Sequence, residues 1–370
     1  MRRILYLLLS LSLLVGVIFF VLPKFKKQKQ EILRVKPVPT KKLLKKTSSI
    51  FVPEWSIQLE AVEISLNQPV LSEIKGYDRL IYFGSDEEKI QEFNQMTQSH
   101  KNKWLTIVMT NTEKNTEILK NSSSWVKIIE EKINLAKENG FLGVILDLEV
   151  SVIPFDRITN DIVDFNKSFY LEAKKQNLGY GFLIYGDKYY RQRPYFMPEI
   201  VNNSDEILIM AYDFHKSRGE PGPNFPLARR IPTKSGEGGP DLYGYDFTTM
   251  INDFKKEVPV EKLTVIFGMY GYDWQVDERR LPINQAKAIT LADVKKQFLE
   301  KCQWKDCVIK RDDLSAEMEI NYVKSQVVNE FGYLDYHIIW YEDEQSVRMK
   351  KSLLEKEEIG STGYWAWGYF

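Results

Sequence analysis

Between residues 49 and 370, short runs rich in β-branched and aromatic residues alternate with helical stretches about eight times. No other property of the chain restricts its fold as far. The runs are "RLIYFGS" (79–85), "KWLTIVMT" (103–110), "GVILDLE" (143–149), "GYGFLIYG" (179–186), "EILIMAYDF" (206–214), "LTVIFGMYG" (263–271) and "GYWAWGY" (363–369), and folded sequence begins near "SSIFVPEWSI" (48–57). The clearest helix is "SSWVKIIEEKINLAKENG" (123–140), with Ser at its start, apolar residues at helical spacing and Gly at its end. Such alternation gives an α/β fold, either a (β/α)8 TIM barrel or a large doubly wound sheet. No Gly-rich turn able to cradle a phosphate follows the first strand, which counts against a dinucleotide-binding sheet and favours the barrel. The rhythm breaks over 275–340, so a small α+β insertion is expected between strands 7 and 8. The helical pattern "DEQSVRMKKSLLEKE" (343–357) then restores the alternation.

Within the run "GFLGVILDLEV" (140–150), two carboxylates interrupt an otherwise apolar strand. Residues two apart on a strand share a face, so Ile145, Asp147 and Glu149 point into the barrel while Val144, Leu146 and Leu148 point to the surrounding helices. The acids come last, at the C-terminal strand end where barrels carry their catalytic groups. Buried carboxylates cost free energy unless they are paired or used. The two readings are a barrel-core ion network with Arg or Lys and a catalytic pair.

Charge divides the chain unevenly. The 51 basic and 51 acidic residues cancel, yet residues 1–46 hold 12 Lys and Arg against the single acid Glu31, leaving 39 basic and 50 acidic residues in the remainder. So acidic a domain, with no basic stripe, is not expected to bind nucleic acid. Residues 4–22 are uncharged and about long enough to cross a bilayer, and no small-residue cleavage pattern precedes "VLPKFKK". Residues 1–22 are therefore expected to be a transmembrane anchor or signal segment, 23–48 a Lys/Pro-rich linker, and 49–370 the barrel with its 275–340 insertion. Cys302 and Cys307 are the only cysteines, too few for a structural zinc site and able to form either a local disulfide or two free thiols. Neither a metal nor a cofactor is expected.

Four stretches, in order, resemble family 18 glycoside hydrolases. "GFLGVILDLE" resembles the fourth-strand signature Phe-Asp-Gly-hydrophobic-Asp-hydrophobic-Asp-x-Glu, and "LIMAYDFH" (208–215) resembles the sixth-strand Met-x-Tyr-Asp motif. "MYGYDW" (269–274) resembles the end of strand seven in the spore-wall-associated N-acetylglucosaminidase branch, and "GYWAWGY" resembles the eighth-strand Trp motif. "WYEDEQSVRMK" (340–350) is similar to that branch's segment before strand eight. Two positions depart from the pattern: Leu142 stands for its first Asp and Ile145 for its middle Asp, which removes a proton-sharing partner from Asp147.

The resemblance implies hydrolysis of β-glycans containing N-acetylglucosamine, of chitin or peptidoglycan type, by substrate-assisted retaining chemistry. It implies Glu149 as proton donor, Asp147 as the partner of the substrate's acetamide N–H, and Tyr212 as the residue aligning the acetamide oxygen. Trp365 is implied as the aromatic floor, with Asp213, Met210 and Tyr270 as further substrate contacts. His215, a lone histidine, is expected to be structural. A wall or matrix glycan requires an extracytoplasmic domain on a membrane anchor, whereas Lys24, Lys26, Lys27 and Lys29 taken alone would draw the C-terminal side into the cytoplasm. The loss of two pattern acids leaves open a rival function, a catalytically weak or silent lectin-like barrel that binds glycans.

Overall fold

The computed structural model describes residues 46–57, 74–230, 242–325 and 334–370. Its strands, in chain order, are β1 (Ser48–Pro53), β2 (Arg79–Phe83), β3 (Lys103–Met109), β4 (Gly143–Leu148), β5 (Gly179–Tyr185), β6 (Glu206–Ala211) and β7 (Leu263–Gly268). The chain then leaves this series for β8 (Tyr270–Val276), β9 (Lys287–Thr290), β10 (Lys305–Arg311), β11 (Met318–Ser325) and β12 (Asp335–Tyr341), and returns as β13 (Ser361–Trp365). Strands β1 to β7 and β13 pair in parallel, each with its neighbour in chain order, and β13 closes the barrel against β1. The helices are α1 (Glu87–Met96), α2 (Thr112–Lys120), α3 (Trp125–Glu138), α4 (Asp156–Lys175), α5 (Met197–Asn202), α6 (Phe247–Phe254), α7 (Leu291–Val294) and α8 (Glu344–Lys356). The expected (β/α)8 barrel is therefore the fold.

The alternation along each strand builds two apolar layers. Outward residues such as Val144, Leu146 and Leu148 of β4 pack with helix residues including Ile133 and Phe165. Inward residues meet across the barrel axis, where Phe51, Ile81, Ile145, Leu183, Leu208 and Ile266 form a separate cluster. Burying each of these larger side chains contributes about 1.5–3 kcal/mol. Toward the N-terminal strand ends the barrel is plugged by charge: Arg79 of β2 donates to both carboxylate oxygens of Glu206 on β6, and to Ser49 at 3.0 Å. An ion pair thus does occupy the barrel core, but the acids on β4 take no part in it. It sits at the opposite end from them.

Between β7 and β13 an antiparallel sheet forms in the order β10-β11-β12-β8-β9. The run "LTVIFGMYG", read as one strand from sequence, divides at Met269. Its last two residues open β8, so "MYGYDW" belongs to the inserted sheet rather than to the end of the barrel strand. Gly271 permits this, because a Cβ there would meet the Trp340 carbonyl at 1.9 Å. Trp274, Val276, Ile338 and Trp340 make the sheet's own small core, and the Trp274 indole N–H donates to the Gly219 carbonyl in the loop after β6 at 3.0 Å. Cys302, just before β10, and Cys307, within it, form a disulfide.

The expectation of a membrane-anchored protein is corrected. Among the described residues no helix is long and apolar enough to cross a membrane, and the proposed span 4–22 lies outside those residues. The structure therefore gives neither the anchor nor the membrane localisation any support.

Candidate active site

Parallel strands place all their C-terminal ends on one face, and the loops there wall a cavity of about 460 Å³. All seven residues singled out from sequence line it: Asp147 and Glu149 at the end of β4, Met210 on β6, Tyr212 and Asp213 just beyond β6, Tyr270 opening β8, and Trp365 ending β13. The two departures from the strand-four pattern fall in different places. Leu142 precedes β4 and is exposed, far from the chemistry, whereas Ile145 is sealed in the inner apolar layer beneath Asp147.

Asp147 is buried, and its Oδ1 has no hydrogen-bond partner among the described residues. Burial first, and then the charge of Glu149, push its carboxyl well above the ordinary range. Glu149 stands nearer the opening. Its Oε2 accepts a hydrogen bond from the Tyr185 hydroxyl at 2.6 Å. Burial also raises the Glu149 carboxyl, with help from the charge of Asp213, against the opposing pull of the Tyr185 hydrogen bond, Lys216 and Arg193. Two desolvated acids with raised pKa values sit in one cleft, the kind of arrangement that clusters at functional sites.

Around them the walls are aromatic. Trp365 packs edge-on against Phe83 at 4.6 Å between ring centres and lies nearly parallel to Tyr212 at 6.4 Å. Trp55, half exposed at the rim after β1, adds a second indole 6.1 Å from Trp365. Tyr212 is crowded against Gly268, where a Cβ would come within 2.7 Å of the Tyr212 Cβ and of the Tyr270 ring. Asp213 adopts a left-handed backbone with φ of 58°, a region that Asp tolerates better than most side chains. Its N–H donates to Asn224 Oδ1 at 2.7 Å, and its carboxylate accepts from the Tyr270 hydroxyl and, at 2.8 Å, from the Tyr272 hydroxyl. His215 is the structural residue expected, its Nδ1 lying 2.8 Å from the Pro223 carbonyl oxygen, with burial pushing its pKa down.

Several lining residues were not picked out from sequence. Tyr185 ends β5 on the same face as Leu183, so strand parity would have pointed it inward beside Glu149. Lys216 and Trp55 lie in the connections after β6 and β1, as does Asn224, which braces Asp213 from behind the lining, and no periodicity announces direction there.

Comparison with known proteins identifies the family. Residues 49–369 match the model of glycosyl hydrolases family 18. The chain belongs to that family. Among curated family relatives it is 24% identical over 254 residues to the uncharacterized glycosylase YvbX of Bacillus subtilis (strain 168), covering 68% of this chain and 64% of that protein. The chain thus spans less than two thirds of that relative's length. Among solved structures, the Bacillus cereus spore cortex-lytic enzyme SleL superposes with a TM-score of 0.63 at 19% identity, covering 90% of this chain and 73% of that one. The family 18 N-acetylglucosaminidase of Paenibacillus barengoltzii gives 0.67 at 14% identity, covering 88% and 96%. These likenesses at low identity speak to the fold.

Proposed function

We propose that this chain is a glycosidase that hydrolyses β-linked glycans containing N-acetylglucosamine, of chitin or peptidoglycan type, with retention through the substrate's own acetamide. The observation that carries the reading is the pairing of Glu149, raised by burial and hydrogen-bonded by Tyr185, with the buried Asp147 above an aromatic floor at Trp365. The cavity volume lies within the ordinary range of small-molecule sites. In this mechanism Glu149 gives its proton to the glycosidic oxygen as that bond breaks, and the acetamide oxygen bonds to the anomeric carbon. Asp147 accepts the acetamide N–H and offsets the charge of the oxazolinium, while the Tyr212 hydroxyl holds the acetamide oxygen in line. Water then opens the oxazolinium at the anomeric carbon, its proton passing to Glu149.

Ile145 shapes the proton balance. It cannot take a proton from Asp147, so the pair Asp147–Glu149 titrates on its own, and the reactive form is the one with the proton on Glu149 and the charge on Asp147. The same substitution favours a second reading, a lectin-like barrel that binds glycans without cleaving them. The deciding experiment incubates the full chain with β-linked N-acetylglucosamine oligomers bearing a chromophore at the reducing end. Release of chromophore between acid and neutral pH, with the first-formed sugar in the β configuration by NMR, is expected. Binding without release at any pH in that interval leaves the lectin-like reading.

A further inference from the structure

Apart from the acid pair Asp147 and Glu149, the carboxylates lining the cavity are held by fixed partners. Glu54 accepts the backbone N–H groups of Ser85 at 2.9 Å and Asp86 at 3.2 Å. Asp187 is held by Arg193 at 2.8 Å and by Arg191. Asp213 is taken by the hydroxyls of Tyr270 and Tyr272. Lys216 lines the same cavity, half-buried, and its ammonium makes no ion pair or hydrogen bond among the described residues. Its Nζ lies 5.3 Å from the centre of the Tyr185 ring, the residue that donates to Glu149. The two arginines nearby are engaged with Asp187 and do not line the cavity, so among the described residues Lys216 is the cation that faces it.

That cation is out of place for neutral substrates. It pulls protons off Glu149, the group that must hold one, and once Glu149 holds its proton no carboxylate among the described residues is in ion-pair contact with the ammonium. A negatively charged group on the substrate would satisfy the ammonium and cancel that pull at the moment the acid is needed. Resting on the reading of the cavity as a glycan-hydrolysing site, we propose that Lys216 selects glycans carrying a singly charged acidic substituent, with a carboxylate bound against Lys216 beside the Tyr185 ring. A single ammonium with no free arginine matches a monoanion better than a doubly charged phosphate.

Two soluble oligomers test this with the full chain: β-linked N-acetylglucosamine, and the same chain with a 3-O-carboxyethyl ether on alternate sugars. The unmodified protein is expected to favour the carboxylated oligomer in kcat/KM by about tenfold, the scale of one charge-assisted contact, and less at high salt. Lys216→Met is expected to bring that ratio close to one, and Lys216→Arg to keep most of it. A second readout separates a substrate contact from a structural role. Glu149 is faced by Asp147, Tyr185, Arg193, Asp213 and Lys216, and removing Lys216 alone removes a charge that lowers it. The alkaline limb of kcat/KM on the neutral oligomer should therefore move to higher pH in Lys216→Met. A ratio that is the same in Lys216→Met as in the unmodified protein, or a preference for the neutral oligomer, overturns the proposal. Binding to Glu149→Gln, with and without Lys216→Met, separates it from the hydrolase reading. A carboxylate preference in binding that depends on Lys216, with no hydrolysis by the unmodified protein, upholds Lys216 and sinks the enzyme. Cleavage of neutral oligomers with no carboxylate preference does the reverse.

Discussion

Two groups of buried acids in this molecule are treated in opposite ways. At the barrel mouth, Asp147 and Glu149 share a cleft with no cation paired to either, and one Asp147 oxygen lacks any partner among the described residues. Where the inserted sheet meets the barrel, Glu317 and Glu342 flank Lys350 of α8, all three side chains with no solvent exposure. There Lys350 donates to both carboxylates, and Glu317 also accepts the backbone N–H groups of Asn224 and Phe225. Asn224 in turn braces Asp213 and donates to the carbonyls of Gly268 and Tyr270. The triad therefore holds the loop that forms one wall of the site. Charges that position structure are neutralised here, and charges left over are those available to a reaction.

The comparison breaks most directly at Glu149. Glu149→Gln keeps the shape and the acceptor for Tyr185 but removes the proton, so turnover should fall by at least about 10²-fold, the usual scale of general-acid catalysis. Its unfolding midpoint in urea should stay the same or rise, since a buried titrating group is lost. A fall in both activity and stability would mean that Glu149 is a structural acid like Glu317. The complementary change is Lys350→Met. Removing the cation leaves a buried acid pair without its counter-charge in a sealed pocket, a loss of about 3–5 kcal/mol in unfolding free energy. Activity should fall as well, through the Glu317–Asn224–Asp213 connection. Urea unfolding followed by tryptophan fluorescence measures the first effect, and a drop under about 1 kcal/mol would mean that the triad is not the clamp described.

Asp147→Asn should give an intermediate result and separates the two regions most cleanly. Loss of the charge that offsets the oxazolinium should reduce turnover by about one to two orders of magnitude. Stability should move the other way. The folded pKa of Asp147 is raised above its ordinary 3.8, so its stabilising contribution is complete below that pH and is lost as pH rises toward the folded value. Asn does not titrate, and the variant should gain on the unmodified protein as pH rises from about 4 toward neutrality. Parallel pH dependences for the two proteins would show that Asp147 is not buried and unpaired in solution.

How much of this was visible beforehand follows from periodicity. The eight barrel strands follow from continuous apolar runs spaced by helices, as strands buried on both faces require, and the inward direction of Asp147 and Glu149 follows from strand parity. Met210, Tyr212, Asp213, Tyr270 and Trp365 came from motifs at strand ends, and the structure brings them to the same cavity. Leu142 and Ile145 looked like equal losses in sequence. Only the strand's placement separates an exposed residue before β4 from one sealed beneath Asp147. Lys216 and Asn224 sit in loops whose path depends on tertiary contacts. The triad joins residues 33 and 8 positions apart, across two strands' ends and a helix, with no local pattern to signal it. The start of the inserted sheet at Tyr270 was hidden because "LTVIFGMYG" is uniformly apolar through the point where the chain turns away.

The smallest expected effect lies within the triad, at Glu342. Two carboxylates around one ammonium would leave a net negative charge with no solvent to spread it, so one acid should carry a proton. Glu342 is the candidate: burial, and to a smaller extent the charge of Glu317, raise it from an ordinary 4.5 to about 8, although Lys350 pulls the other way. Its Oε2 has no partner among the described residues, whereas Glu317 accepts from two backbone N–H groups and from Lys350. Near pH 5 the folded protein already holds a neutral Glu342, so Glu342→Gln, a neutral group of the same shape, should change unfolding free energy by under about 1 kcal/mol. Above that pH the two proteins should part. A raised acid contributes stability in full below its unfolded pKa and loses it as pH rises through the folded one, so the unmodified protein should weaken between about 4.5 and about 8. Glu342→Gln should lack that slope and become the more stable of the two. If instead Glu342→Gln is destabilised equally from pH 5 to 8, Glu342 is ionised in the fold. The triad would then hold an unbalanced charge of its own, and the contrast with the barrel mouth would rest on access to substrate rather than on pairing.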